Sequence, residues 1–206
     1  MSGATSLMGR WSCAVDINYG TFRGCVRHML AAGEYVLGRH QAWTCAPTAP
    51  VRRLVFVCLG NINRSAFGAE VARSLGLPTV SIGLSTTTGA PATPMACVQA
   101  RCQGFDLAAH LATDHQDYTI QPGDLLLAME VRHAKQLVAR GVPSDSIRLL
   151  GAWASPMRLH LHDPHTLSSA YFATCFTLIE SAVRNLSAEL GQAQSKEAGH
   201  AGPPEL

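Results

Sequence analysis

No apolar run in this 206-residue chain is long enough to cross a bilayer, and its N-terminus lacks the basic-then-apolar order of a secretory signal. No membrane partner is therefore expected. No block of basic residues occurs and the formal charge is only +2, which argues against a general nucleic-acid-binding surface. The seven cysteines are odd in number and contain no CxxC pair, so neither a disulfide framework nor a cysteine zinc site is indicated. No internal repeat is evident. These absences leave a compact protein of a reducing compartment, the cytoplasm. The 47% of hydrophobic residues suffices for one sizeable core with room for an appendage.

What the chain does have is the segment Val57 to Ser65, V-C-L-G-N-I-N-R-S, at the end of the apolar run Leu54-Val55-Phe56-Val57. That run reads as a buried parallel strand, and Ser65 opens a helical pattern through Phe67, Val71 and Leu75. A loop between strand and helix can curl its amides, Leu59 through Ser65, around an anion. Gly60 relieves backbone crowding and the helix N-terminus adds positive partial charge. Arg64 supplies a planar fork for two phosphate oxygens. A cysteine in such surroundings ionises readily, so Cys58 needs no histidine base, and Ser65 can donate a hydrogen bond to its thiolate.

Strand-like and helical runs alternate onward: Thr79 to Gly83 and a helix near Pro94 to Gln103, Leu125 to Met129 and a helix near Val131 to Arg140, then Ile147 to Leu150. The last helix is marked by Phe172, Cys175, Phe176, Ile179, Val183, Leu186 and Leu190 at three-and-four spacing. The alternation predicts an α/β fold with an open parallel sheet and helices on both faces. Ligands then bind beyond the carboxyl ends of the strands, where Cys58 falls.

The spacing C-x5-R-S, with Gly60 and Asn61 between, resembles the active-site loop of the low-molecular-weight protein tyrosine phosphatases. Asp163-Pro164, just before the last helix, resembles the family's late catalytic aspartate. Further echoes are Ser81-Ile82-Gly83, Asp106 to His110, and Asp124 through Met129-Glu130, so the likeness runs from about Arg52 to Leu190. It implies a three-layer α/β/α fold, phosphotyrosine phosphatase I-like, with four parallel strands in the order 2-1-3-4. It also implies hydrolysis of phosphomonoesters, foremost phosphotyrosine in proteins, through a phosphocysteine.

In that scheme Cys58, Arg64 and Asp163 are catalytic, and Leu59, Gly60, Asn61, Ile62, Asn63 and Ser65 bind phosphate. Asn61, Ser81 and His110 brace the loop, and no metal or cofactor takes part. Expelling an alkoxide or phenolate needs a proton, which Asp163 is placed in sequence to deliver; Glu130 and Asp124 are the other carboxylates in reach of that role.

Two departures from the family pattern bear on chemistry. Asn63 stands where most members carry a second cysteine. His165-Thr166 and Ser85-Thr86-Thr87-Thr88 stand where aromatic residues usually wall the cleft, leaving Trp153 and Tyr171 as candidates to replace them. An arsenate reductase on the same scaffold is one alternative, although Cys97 and Cys102 do not match the resolving cysteines it needs. A phosphoryl-binding module without turnover is another.

His160, His162 and His165 around Asp163 are competent zinc ligands in type, but surface histidines that tune the acid loop with pH are the simpler reading. Outside the resemblance, residues 1–50 form an N-terminal extension. Cys25, Met29, Leu30 and Val36-Leu37 mark a helix ending near Gly38, read as packed on the catalytic unit of residues 51–190 in preference to a docking element for a partner, and Ala46-Pro47-Thr48-Ala49-Pro50 is a linker. A polar, disordered tail is expected over 191–206. The oligomeric state stays open.

Overall fold

The computed structural model describes residues 7–200, with side chains from 12 to 192. Three helices come first, α1 (Leu7–Tyr19), α2 (Phe22–Val36) and α3 (Gln41–Thr44). The chain then alternates β1 (Arg53–Cys58), α4 (Arg64–Ser74), β2 (Thr79–Gly83), α5 (Pro94–Cys102), β3 (Asp124–Ala128), α6 (Val131–Ala139), β4 (Ile147–Leu149) and α7 (Ser169–His200). The four strands are parallel in the order β2-β1-β3-β4.

Side chains alternate across a strand, and the central strands are apolar at every position after the first, so each must be covered on both faces. Leu54, Phe56 and Cys58 of β1, with Leu125 and Leu127 of β3, join one core with α4, α5 and α7. Val55, Val57, Leu126 and Ala128 join the other with Ala134 and Leu137 of α6 and Ala31 of α2. The result is a three-layer α/β/α fold. The stripe on α7 is buried from Phe172 to Leu186, and Phe176 stacks on Phe67 of α4 with ring centroids 4.0 Å apart. Each such fully buried side chain stabilises the fold by roughly 1.5–3 kcal/mol. Among the described residues no helix is long and apolar enough to cross a membrane.

Two expectations need correction. Helix α7 continues to His200, where a disordered tail was expected from Gly191; the following Gln-Ala-Gln-Ser-Lys-Glu-Ala run consists largely of good helix formers, which one glycine does not stop. Residues 201–206 of that expected tail lie outside the described residues. Helix α2 packs on the rest of the molecule, but through its small residues. Gly24 and Ala31 are buried, whereas Met29, Leu30, Val36 and Leu37 of the presumed packing stripe are exposed.

The extension is tied down at several points. A Cβ at Gly24 would stand 2.9 Å from His162 Cδ2, so only glycine lets α2 approach the segment before Asp163 this closely. Thr21 caps α2 by accepting from the Gly24 amide, and its Oγ1 lies 3.3 Å from His162 Nε2. Arg158 donates to the Asn18 carbonyl and lies over the Tyr19 ring. Past α3, buried Arg148 donates to the carbonyls of Cys45 and Ala46 and pins the start of the linker.

Candidate active site

The loop from Cys58 to Ser65 sits at the carboxyl end of β1 and the start of α4, buried except at Leu59, Gly60 and Ile62, which are partly exposed. Its carbonyls are bound from outside, one after another. Those of Cys58 and Leu59 accept from the amides of Leu84 and Ser85, that of Gly60 from Thr86 Oγ1, and that of Asn61 from His110 Nε2 at 2.6 Å. Those of Ile62 and Asn63 accept from the amides of Thr93 and Phe67. With the oxygens fixed outward, the loop turns N–H groups toward its centre, the arrangement that cradles an oxyanion.

Asn61 holds this shape. Its φ of 51° is left-handed, a conformation asparagine tolerates better than most residues. Its Nδ2 donates to Ser65 Oγ at 2.9 Å and Ser81 Oγ at 2.8 Å, and its Oδ1 accepts from the Thr113 amide at 2.8 Å. Its own amide points at Cys58 Sγ, 3.2 Å away, and Ser65 Oγ lies 2.9 Å from the same sulfur. Asn63 fills the expected cysteine position by accepting from Thr93 Oγ1 at 2.6 Å.

Arg64 is fully enclosed. Its Nη1 donates to Glu130 Oε1 at 2.6 Å and the Leu161 carbonyl at 2.8 Å, and its Nη2 lies 2.8 Å from Asp163 Oδ2. Neither Nε nor Nη2 makes a hydrogen bond, so the Asp163 contact is an ion pair. One nitrogen thus anchors the guanidinium while the Nε–Nη2 side keeps its bidentate capacity. Burial would lower the Arg64 pKa, but the charges of Asp163, Glu130 and Cys58 outweigh it and raise it, so the side chain stays cationic.

The family model for low molecular weight phosphotyrosine protein phosphatase matches residues 53–196. The chain belongs to this family. It is 29% identical over 148 residues to the low molecular weight protein-tyrosine-phosphatase Wzb of Salmonella typhi, covering 70% of this chain and 97% of that one. It is 30% identical over 144 residues to the low molecular weight protein-tyrosine phosphatase A of Mycobacterium bovis, covering 65% and 88%. Among solved structures, the tyrosine phosphatase AmsI of Erwinia amylovora superposes with a TM-score of 0.60 at 27% identity, over 69% of this chain and 95% of that one. Wzb from Escherichia coli, solved with sulphate, gives 0.60 at 26%, over 68% and 99%.

Within this phosphatase fold, Cys58, Leu59, Gly60, Ile62, Asn63, Ser85, Asp163 and His165 line one cleft of about 150 Å³. Neither aromatic candidate reaches it. Trp153 donates to Glu189 at the α7 side, and Tyr171 is buried with its hydroxyl on the His162 carbonyl.

The other carboxylates are placed apart from the acid role. Asp124 lies at the opposite end of β3, bound to Arg53 and Tyr118. Glu130 is wholly buried on Arg64 and Arg132. Burial alone would raise its carboxyl, but Arg64, His133, His160 and Arg132 hold it well below the usual carboxylate range. Glu130 is therefore the arginine's anchor, a function missed by reading it as a spare acid; its position two residues past β3, at the ligand-binding end of the sheet, was the available signal.

The histidines also differ from expectation. His160 is buried, 3.4 Å from Glu130 Oε2, and stacks on His162. Burial, helped by the Arg64 charge, lowers His133 to about 3 and His160 to about 4, so both are neutral near pH 7 rather than titrating there. Among the described residues, no group of three or more His, Cys, Asp or Glu side chains is arranged to hold a metal ion.

Proposed function

We propose that this chain hydrolyses phosphotyrosine in proteins, with Cys58, Arg64 and Asp163 as the catalytic groups of residues 51–190 and residues 1–50 as an appendage. One observation carries the reading: a loop whose carbonyls from Cys58 to Asn63 are engaged outside holds a cysteine sulfur at the cleft that Asp163 lines, and Asp163 pairs with the buried Arg64 behind it. Sulphate bound by the Escherichia coli relative supports a tetrahedral oxyanion as the occupant of such a loop.

The Cys58 thiolate attacks phosphorus in line, forming the S–P bond as the P–O bond to the leaving oxygen breaks. Asn61 N–H and Ser65 Oγ face the sulfur, and the loop amides with Arg64 Nε and Nη2 take the equatorial oxygens. An arriving phosphoryl group competes for the guanidinium that Asp163 holds. Asp163, displaced from that ion pair and protonated from solvent, then turns to the leaving oxygen and gives up that proton. In the second step the same carboxylate takes a proton from water, which displaces Cys58 and releases phosphate. We place the protein in the cytoplasm, because a thiolate catalyst needs a reducing compartment and all seven cysteines are free.

The test is release of p-nitrophenol from p-nitrophenyl phosphate, and of phosphate from a phosphotyrosine peptide, by the purified chain and by Cys58→Ser. Turnover by the native chain and none by the variant is expected. Near-native rates in Cys58→Ser, or activity only with arsenate and thioredoxin, would overturn the reading.

A further inference from the structure

Helix α2 is built inside out. At 100° per residue, Phe22, Val26, Met29, Leu30, Gly33, Val36 and Leu37 fall on one arc of about 120°. That arc faces away from the molecule: Phe22 is 76% exposed, Met29 67%, Leu30 63%, Val36 83% and Leu37 73%. Small Gly24 and Ala31 make the contact with the rest of the chain. A continuous apolar stripe of this size is more than monomers usually leave uncovered.

We propose that this face pairs with the same face of a second copy, as two antiparallel α2 helices about a two-fold axis between Met29 and Leu30. The stripe is self-complementary in that register. Phe22 falls opposite Leu37 of the second copy, Val26 opposite Gly33, and Met29 opposite Leu30. Gly33 lies at the middle of the stripe with nothing within 4 Å of where its Cβ would stand, so it offers the gap that a facing Val26 fills. Charges at the rim agree. Arg23, Glu34 and Arg27 share one edge of the stripe, and the two-fold axis brings that edge beside its own copy. Glu34, whose Oε2 also bonds His40 at 2.7 Å in its own chain, then falls between Arg23 and Arg27 of the second chain, and the pattern repeats by symmetry.

A lipid surface needs neither a central gap nor an acidic residue at the rim, and both features favour a protein helix as the occupant. A pair of fifteen-residue helices buries on the order of 1,000 Å² in total, the lower end of specific interfaces.

Sedimentation equilibrium of the full chain from about 1 to 200 µM tests this. A monomer–dimer equilibrium is expected. Gly33→Arg, placed in open space, should weaken it at least tenfold while p-nitrophenyl phosphate turnover stays unchanged. Arg23→Glu and Glu34→Arg should each weaken association, and the double variant should recover it to within about threefold of native. A native chain that is monomeric throughout, a dimer indifferent to Gly33→Arg, or a charge swap without recovery overturns the proposal. So does a monomer that co-sediments with phosphatidylserine vesicles, which would assign the face to membrane.

Discussion

Replacing Glu130 with glutamine separates an anchor from an acid. Its carboxylate is wholly buried, 2.6 Å from Arg64 Nη1 and 2.8 Å from Arg132 Nε. Glutamine keeps an acceptor for Arg64 but removes the charge, and its amide N–H groups meet a donor at Arg132. A hydrogen bond to a charged group contributes about 1.5–3 kcal/mol, and Asp163 still shares the load, so a stability loss of about 2 kcal/mol is expected.

The kinetic loss should be larger in proportion. With its anchor weakened, the guanidinium leans toward Asp163, 2.8 Å away on its other nitrogen, and leaves the position from which Nε and Nη2 reach the phosphoryl oxygens. A shift of about 1 Å in such a group costs on the order of a hundredfold in kcat/KM. Inhibition by inorganic phosphate should weaken as well, because it depends on the same fork. Urea unfolding and p-nitrophenyl phosphate kinetics on Glu130→Gln and Glu130→Asp measure both effects, with partial rescue expected from the aspartate, which keeps the charge. A glutamine variant with kcat/KM within threefold of native and unchanged phosphate inhibition would refute the anchoring role.

Asp163→Asn should slow hydrolysis by on the order of a hundredfold, with the greatest loss for substrates having poor leaving groups; an unchanged dependence of rate on leaving-group pKa removes Asp163 from the acid role. Acid should unfold the protein early. His160 is held at about 4 against 6.5 in the unfolded chain, so its contribution is full above pH 6.5 and fades as pH falls toward 4, by about 2 kcal/mol at pH 5. The buried Glu130 carboxylate adds a loss in the same direction at still lower pH. Urea midpoints from pH 8 to 5 should fall for the native chain and fall less for His160→Asn; equal slopes would show that other groups dominate. Peroxide inactivation should be poorly rescued by dithiothreitol, because Asn63 offers no neighbouring thiol and burial pushes Cys175 up to about 12, leaving it a poor attacking thiolate. Full recovery with Cys58 found in a disulfide by mass spectrometry would contradict this.

The loop was legible because its chemistry is contiguous: strand, cysteine, turn, arginine and helix follow within a dozen residues, and the sheet follows from the alternation of apolar runs. Asp163 was legible only as a dipeptide in a family pattern. The partners of Arg64 were not, since Glu130 and Leu161 approach it from elements far along the chain, and spacing carries no information about which carboxylate turns inward. Periodicity showed that α2 has an apolar face but not which way it points. Gly24 and Ala31 decide that, because small residues permit the closest approach and so take the inner side even when larger apolar groups are available.

The contact of the α1–α2 turn with His162 makes the extension part of the wall behind Asp163. In a chain begun at Val51, His162 would lose Thr21 and the close cover of Gly24, and Tyr171 would lose the backbone at Gly20 that now presses on its ring. The Asp163 segment would then keep its ion pair with Arg64 on one side with solvent on the other. A chain trimmed to start at Val51 is therefore expected to let Asp163 swing more widely about its ion pair with Arg64 and to loosen the cleft that Asp163 lines.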